Sequence, residues 1–227
     1  MFTCKTLTKR SPLAINFLNL TMPKRKLKSY PLTLRQKLTA EVELEKLKKL
    51  LAADKRRHGV YDDSRGLRYR SPSLYIQIED YAGGLKYLKW FEKNFPDDTG
   101  MPDFLFEWAV LLFKNNKQKA AEGKLYQTFF SNTYLLDAFL GKPVDPVDKW
   151  EGSNWESPAY TQFLEYSRDE PTLADFTLCL EDWMNTDEFK KTRDQYITLH
   201  KKLKYERDQE LRSYLLAQIR IIENNIL

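Results

Sequence analysis

The sequence predicts an all-α protein, and three observations predict it. Only 8 of the 227 residues are glycine, while Leu, Lys, Glu and Tyr run through long stretches that favour helix. Apolar residues recur every three to five positions, with no sustained alternation of period two; the nearest approach to a strand, "LYIQIED", is short. Cap and stop signals, among them Thr33, Ser71-Pro72, Gly59 and Gly141 with Pro143, bound the periodic stretches.

Residues 1–31 are punctuated by Pro12, Pro23 and Pro31 and build no apolar period, so they read as a basic, disordered tail. The first helix spans 33–57, "TLRQKLTAEVELEKLKKLLAADKRR". Thr33 can cap it, and Leu34, Leu38, Val42, Leu47 and Leu51 mark its apolar stripe, widened by Leu44 and Leu50. Glu41, Glu43 and Glu45 precede Lys46, Lys48 and Lys49 at pairing distance, the basic end suits the helix dipole, and Gly59 stops the helix. After the loop "GVYDDSRGLRYRS", Ser71-Pro72 reads as cap and first helical residue of a short helix, and "DYAGGLKYLKWFEKNFPDD" follows as a polar turn, an amphipathic helix and a proline stop. Pro102 and Asp103 open "DFLFEWAVLLFKN"; "NNKQ" turns the chain; "KAAEGKLYQTFFSNTYLLDAFLG" reads as one helix ended by Gly141 and Pro143. Residues 142–157 form a linker-like loop. A helix pair is expected over 158–184, one member from Pro158 and one from Pro171. Asn185 with Glu188 has capping-box spacing. From 186 to 225 the apolar period runs without Gly or Pro, which predicts one long helix, with a turn near Tyr205 in "KYERDQE" as the alternative.

Within 71–141 the spacing carries more than helicity. Gly84, Leu88 and Pro96 stand at small, large-apolar and closing-proline positions, four and eight residues apart. Ala121 and Leu125 repeat the small and large pair 37 residues later. Twelve residues before Ala121 sits Ala109, flanked by Leu105, Trp108 and Leu112. Two units of this pattern resemble tetratricopeptide repeats. Two positions depart from it: Pro72 stands where the first unit wants a small residue, and Thr133 where the second wants its proline. The resemblance implies an antiparallel helix-hairpin stack with a concave peptide- or protein-binding face, capped by the N-terminal helix and the long C-terminal helix within one domain over 32–227. The carboxylate clamp of chaperone-binding members is not matched, since only Lys114, Asn115 and Asn116 stand at the end of the relevant helix.

Charge is divided along the chain. Residues 1–70 hold 18 Lys and Arg against 6 Asp and Glu, a net of +12; residues 71–227 hold 19 against 26, a net of −7. The plainest reading is an arm that lies on its own acidic body; the sharper one is an arm that seeks nucleic acid, with Lys24, Arg25, Lys26, Lys28, Arg56 and Arg57 as phosphate contacts. The first 40 residues contain no acid, which is compatible with an organellar transit peptide, with a native tail, or with a start at Met22. No apolar run approaches a membrane span.

Little points to chemistry. Cys4, Cys179, His58 and His200 are isolated, so no zinc spacing or nucleophile–base pair is visible, and a reducing, cytoplasmic compartment is the default. The acidic groups of "EYSRDEP" and "CLEDWMN" read as solvated faces, and "GGLK" lacks the rest of a phosphate loop. Trp90, Phe91, Trp108, Phe113, Tyr126, Phe129, Phe130 and Tyr134 read chiefly as core. The expectation is a non-enzymatic protein-interaction module with no cofactor or metal, a protein or peptide partner, and a homodimer through the C-terminal helix as a further outcome.

Overall fold

The computed structural model describes residues 32–61 and 66–226. The expectations for the 1–31 tail, its start site and Lys24, Arg25, Lys26 and Lys28 lie outside them. Among the described residues there is no strand; the chain is all-α.

Helix α1 (Leu34–His58) begins where the sequence places it. Thr33 and Gln36 form a reciprocal capping box, and Gly59, at φ 74°, closes the helix with its N–H on the Lys55 carbonyl. The short α2 (Ser71–Gln77) is buried along its whole length and starts one residue earlier than the Ser71 cap implies. Asp80 caps α3 (Tyr81–Asn94) by accepting the Gly83 N–H at 2.9 Å. Its end at Phe95 follows from Pro96, which disfavours helical backbone before it. Helix α4 (Pro102–Lys114) is the hub: Phe104 to Leu112 are all buried, and α2, α3, α5 and α7 pack around it.

Helix α5 (Gln118–Ser131) stops earlier than the single helix expected over 119–141. Asn132 leaves the helical region at φ −152° and ψ 108°, and a five-residue α6 (Leu135–Phe139) follows. Asn132 is wholly buried. Its amide donates to the carbonyls of Trp155 and Ser157, and its side-chain oxygen accepts the Tyr134 N–H. A helix continued through Asn132 would lose that junction.

The helix pair over 158–184 is half absent. Pro158–Phe163 is a 3-10 segment and Leu164 is extended. Tyr160 and Tyr166 both turn onto α4, donating to Asp103 at 2.7 Å and to Glu107 at 3.2 Å. Six residues apart on an α-helix, they would point about 120° apart. The partner helix exists as α7 (Ala174–Asn185) after a 3-10 turn at Pro171. Thr186, not Asn185, caps the next helix: its hydroxyl accepts the Phe189 N–H, while Asn185 ends α7.

The long C-terminal helix is two helices, α8 (Asp187–Tyr205) and α9 (Gln209–Ile226), folded against each other. Glu206 is extended, Asp208 caps α9 through the Leu211 N–H, and Arg212 reaches back to the carbonyls of Leu203 and Glu206. The polar patch "KYERDQE" thus supplies both a stop and a cap.

Candidate protein-interaction surface

The residues singled out by the small and large spacing are mostly in the interior. Gly84 of α3 is buried so closely that an added Cβ would stand 2.6 Å from a Leu111 methyl on α4 and 3.1 Å from Tyr75 Cβ on α2. Leu88, Leu105, Trp108, Ala109, Leu112, Ala121 and Leu125 are all buried, and Pro96 is exposed just beyond α3. Helix α2 packs on α3 and α4, α3 on α4, and α4 most extensively on α5.

One side of α4 is covered. Tyr160 and Tyr166 occupy the side that carries Asp103 and Glu107, and the Arg168 N–H bonds the Phe139 carbonyl behind them. Burial pushes the Asp103 carboxyl up, against the Tyr160 hydrogen bond, and nearby Glu165 adds to the rise. The aromatic residues are spent on packing: Phe91, Trp108, Tyr126, Phe129, Phe130 and Tyr134 are buried, and Trp90 and Phe113 pack against them half-buried. Lys114 pairs with Asp175, and the Asn115 amide bonds the Tyr81 and Leu111 carbonyls, so these groups serve the fold.

His58, His200 and Cys179 stand on three different helices. His58 is exposed at the end of α1, whereas His200 is buried in α8. Cys179 is half-buried, and burial raises its thiol. Glu181 is tied to Arg168 at 2.9 Å. Among the described residues, no group of three or more His, Cys, Asp or Glu is placed to hold a metal ion. Among them, too, no helix is long and apolar enough to cross a membrane.

What stands open is one side of α1. The sequence reads Leu34, Leu38, Val42, Leu47 and Leu51 as one stripe. The structure divides it: Ala40, Leu44, Leu47 and Leu51 face the core, while Leu34, Leu38 and Val42 remain 76%, 52% and 70% exposed. At about 100° per residue the two sets are centred roughly 150° apart. Beside Val42 runs a shallow depression of about 590 Å³, lined by Glu41, Val42, Glu45, Lys46, Lys49 and Leu50. Its rim is mixed in charge. Lys48 pairs with Glu45 at 2.7 Å, and that hydrogen bond holds the Glu45 carboxyl below its ordinary value. Helix α1 is held in place by its buried face and by ion pairs from Lys37 to Glu79 at 2.6 Å and from Glu43 to Arg70. The signal in the sequence was the width of the stripe, too broad for one buried face.

Other exposed apolar residues include Leu178 on α7 and Leu211, Tyr214 and Ile221 on α9. Arg56 and Arg57 are exposed at the basic end of α1, and Lys55 lies 4.6 Å over the Tyr61 ring. Comparison with protein-family models, curated proteins and solved structures finds no match for the chain.

Proposed function

We propose that the chain is a non-enzymatic protein-interaction module, an adaptor or scaffold, with the α2–α3 and α4–α5 hairpins as two tetratricopeptide-like units. The order of helix packing around α4 and the close approach at Gly84 support the repeat reading. The observation that carries the interaction reading is α1: a firmly seated helix that keeps Leu34, Leu38 and Val42 in solvent beside a charged-rim depression. The partner is a protein or peptide that presents apolar residues to this face. The reading goes with a cytoplasmic protein. A partner recovered by affinity purification should survive deletion of residues 1–31. It should be lost in Ala121→Pro, which breaks α5 at a buried position. Recovery that needs residues 1–31, or that survives Ala121→Pro, contradicts the reading.

A nucleic-acid reading is favoured by one observation, the exposed Arg56 and Arg57 at the end of α1. Removing α1 would uncover the core that Leu44, Leu47 and Leu51 pack against, so the test is the pair Arg56→Glu and Arg57→Glu in the intact chain. Binding should weaken and its logarithmic salt slope should shrink by about 0.9 per lost phosphate contact. A second copy docking on Leu211, Tyr214 and Ile221 of α9 is tested by sedimentation.

A further inference from the structure

Residues 147–151 lie between the start of α6 and the last turns of α8, fastened on both sides. The Tyr134 hydroxyl accepts the Val147 N–H at 3.0 Å. Asp148 accepts from the Lys204 ammonium and the Tyr205 hydroxyl. Trp150 and His200 hold each other twice: the Trp150 N–H donates to the His200 carbonyl at 2.9 Å, and His200 Nδ1 lies 3.2 Å from the Trp150 carbonyl oxygen. A carbonyl only accepts, so Nδ1 carries the proton of the neutral ring. Nε2 is then a lone pair. It is buried, with no hydrogen-bond partner among the described residues, in a side chain 4% exposed. The Tyr196 and Trp150 rings pack against the imidazole at centroid distances of 4.3 and 5.9 Å.

We propose that His200 is a pH-operated latch: a proton taken from solvent onto Nε2 releases the 147–151 strap from α8. The imidazolium would have a second N–H with no acceptor to meet it. The charged groups around it do not compensate. From the strap, the Lys149 ammonium is almost wholly buried, 3.2 Å from Glu151 and 5.3 Å over the Tyr134 ring, and it repels a cation at His200. Asp148 is engaged with Lys204 on the exposed side. From α9, Glu223 lies 3.4 Å from the Tyr196 hydroxyl, and Glu156 of the Asn154–Glu156 turn also acts there; both address the phenol rather than the imidazole. The aromatic rings attract a cation through their faces but offer Nε2–H no lone pair. Burial holds His200 below its ordinary value of 6.5, Lys149 pushes the same way, and the Trp150 carbonyl opposes them. A depressed folded value means the latch holds above about 6.5 and opens as pH falls through that lower value.

The test is amide hydrogen exchange on the full chain, corrected for intrinsic exchange, at about pH 7.5 and about pH 5. Protection of the Trp150 amide should fall about tenfold or more at the lower pH, while the Ala109 amide in α4 keeps its protection. The midpoint should coincide with the ring titration of His200. In His200→Asn, which keeps an N–H near the Nδ1 position and does not titrate, Trp150 protection should be equal at both pH values. Lys149→Gln, which removes the repelling charge, should raise the midpoint and covers the case in which His200→Asn does not fold. Equal wild-type protection at both pH values, an equal loss in His200→Asn, or an unmoved midpoint in Lys149→Gln overturns the latch. It does not depend on the interaction reading.

Discussion

Two glycines in helix interiors should respond to the same substitution with opposite signs. Gly123 in α5 has nothing within 4 Å of an added Cβ. Gly123→Ala therefore gains helix propensity alone, a stabilisation of about 0.5–1 kcal/mol. Gly84→Ala gains the same propensity but drives its methyl to 2.6 and 2.9 Å from the two Leu111 methyls and to 3.1 Å from Tyr75 Cβ. Leu111 is wholly buried and both its methyls crowd the site, so relief means repacking Leu111 or moving α3 away from α4 and α2. Overpacking of this kind costs roughly 1–3 kcal/mol, which leaves Gly84→Ala destabilised by about 1 kcal/mol, and Gly84→Leu at the upper end of the range. Urea denaturation followed by circular dichroism reads both variants as shifts of midpoint at unchanged slope. Equal stabilisation by the two alanines would refute the helix approach at Gly84.

Three further outcomes follow from single contacts. Asn132→Ala removes three hydrogen bonds at a fully buried junction and should cost roughly 3 kcal/mol in the same assay. Thr186→Ala should cost about 1 kcal/mol as the loss of the α8 cap, while Asn185→Ala should be near neutral; equal effects would restore Asn185 as the cap. Asp103→Asn should remove one source of pH dependence. Burial raises the folded Asp103 value above 3.8, so its contribution is present below about 3.8 and lost as pH rises through the folded value. The amide keeps an acceptor for the Tyr160 hydroxyl and does not ionise. The melting temperature of the variant should therefore gain on wild type as pH rises from about 3.5 to 7; a constant gap would contradict the assignment.

Local chemistry was legible wherever it decided the outcome. Thr33, Pro96 and Gly59 mark helix ends by capping or steric exclusion, and the structure places ends there. The small and large positions from Gly84 to Leu125 pointed to buried contacts, and those residues are buried, Pro96 apart. Two misreadings share a cause, which is a distant partner. Asn132 leaves the helix for the carbonyls of Trp155 and Ser157, more than 20 residues on. Tyr160 and Tyr166 give up a helix for Asp103 and Glu107, nearly 60 residues back. At Glu206–Asp208 no Gly or Pro signals the turn; Arg212 and Asp208 complete it only once α9 folds back. The division of α1 escaped because periodicity counts apolar residues without saying which set meets the core. The His200–Trp150 pair escaped because neither residue has a motif.

The proposed partner docks on the exposed apolar face of α1. Leu38→Glu with Val42→Glu places two good helix formers at solvent-exposed positions, so the fold should hold while the face is lost. Quantitative affinity purification of wild type and this variant side by side, with Leu178→Glu as a control at another exposed site, is the direct measurement. A partner should be retained by wild type and the control and depleted about tenfold or more in the α1 variant. Equal recovery in all three would contradict it.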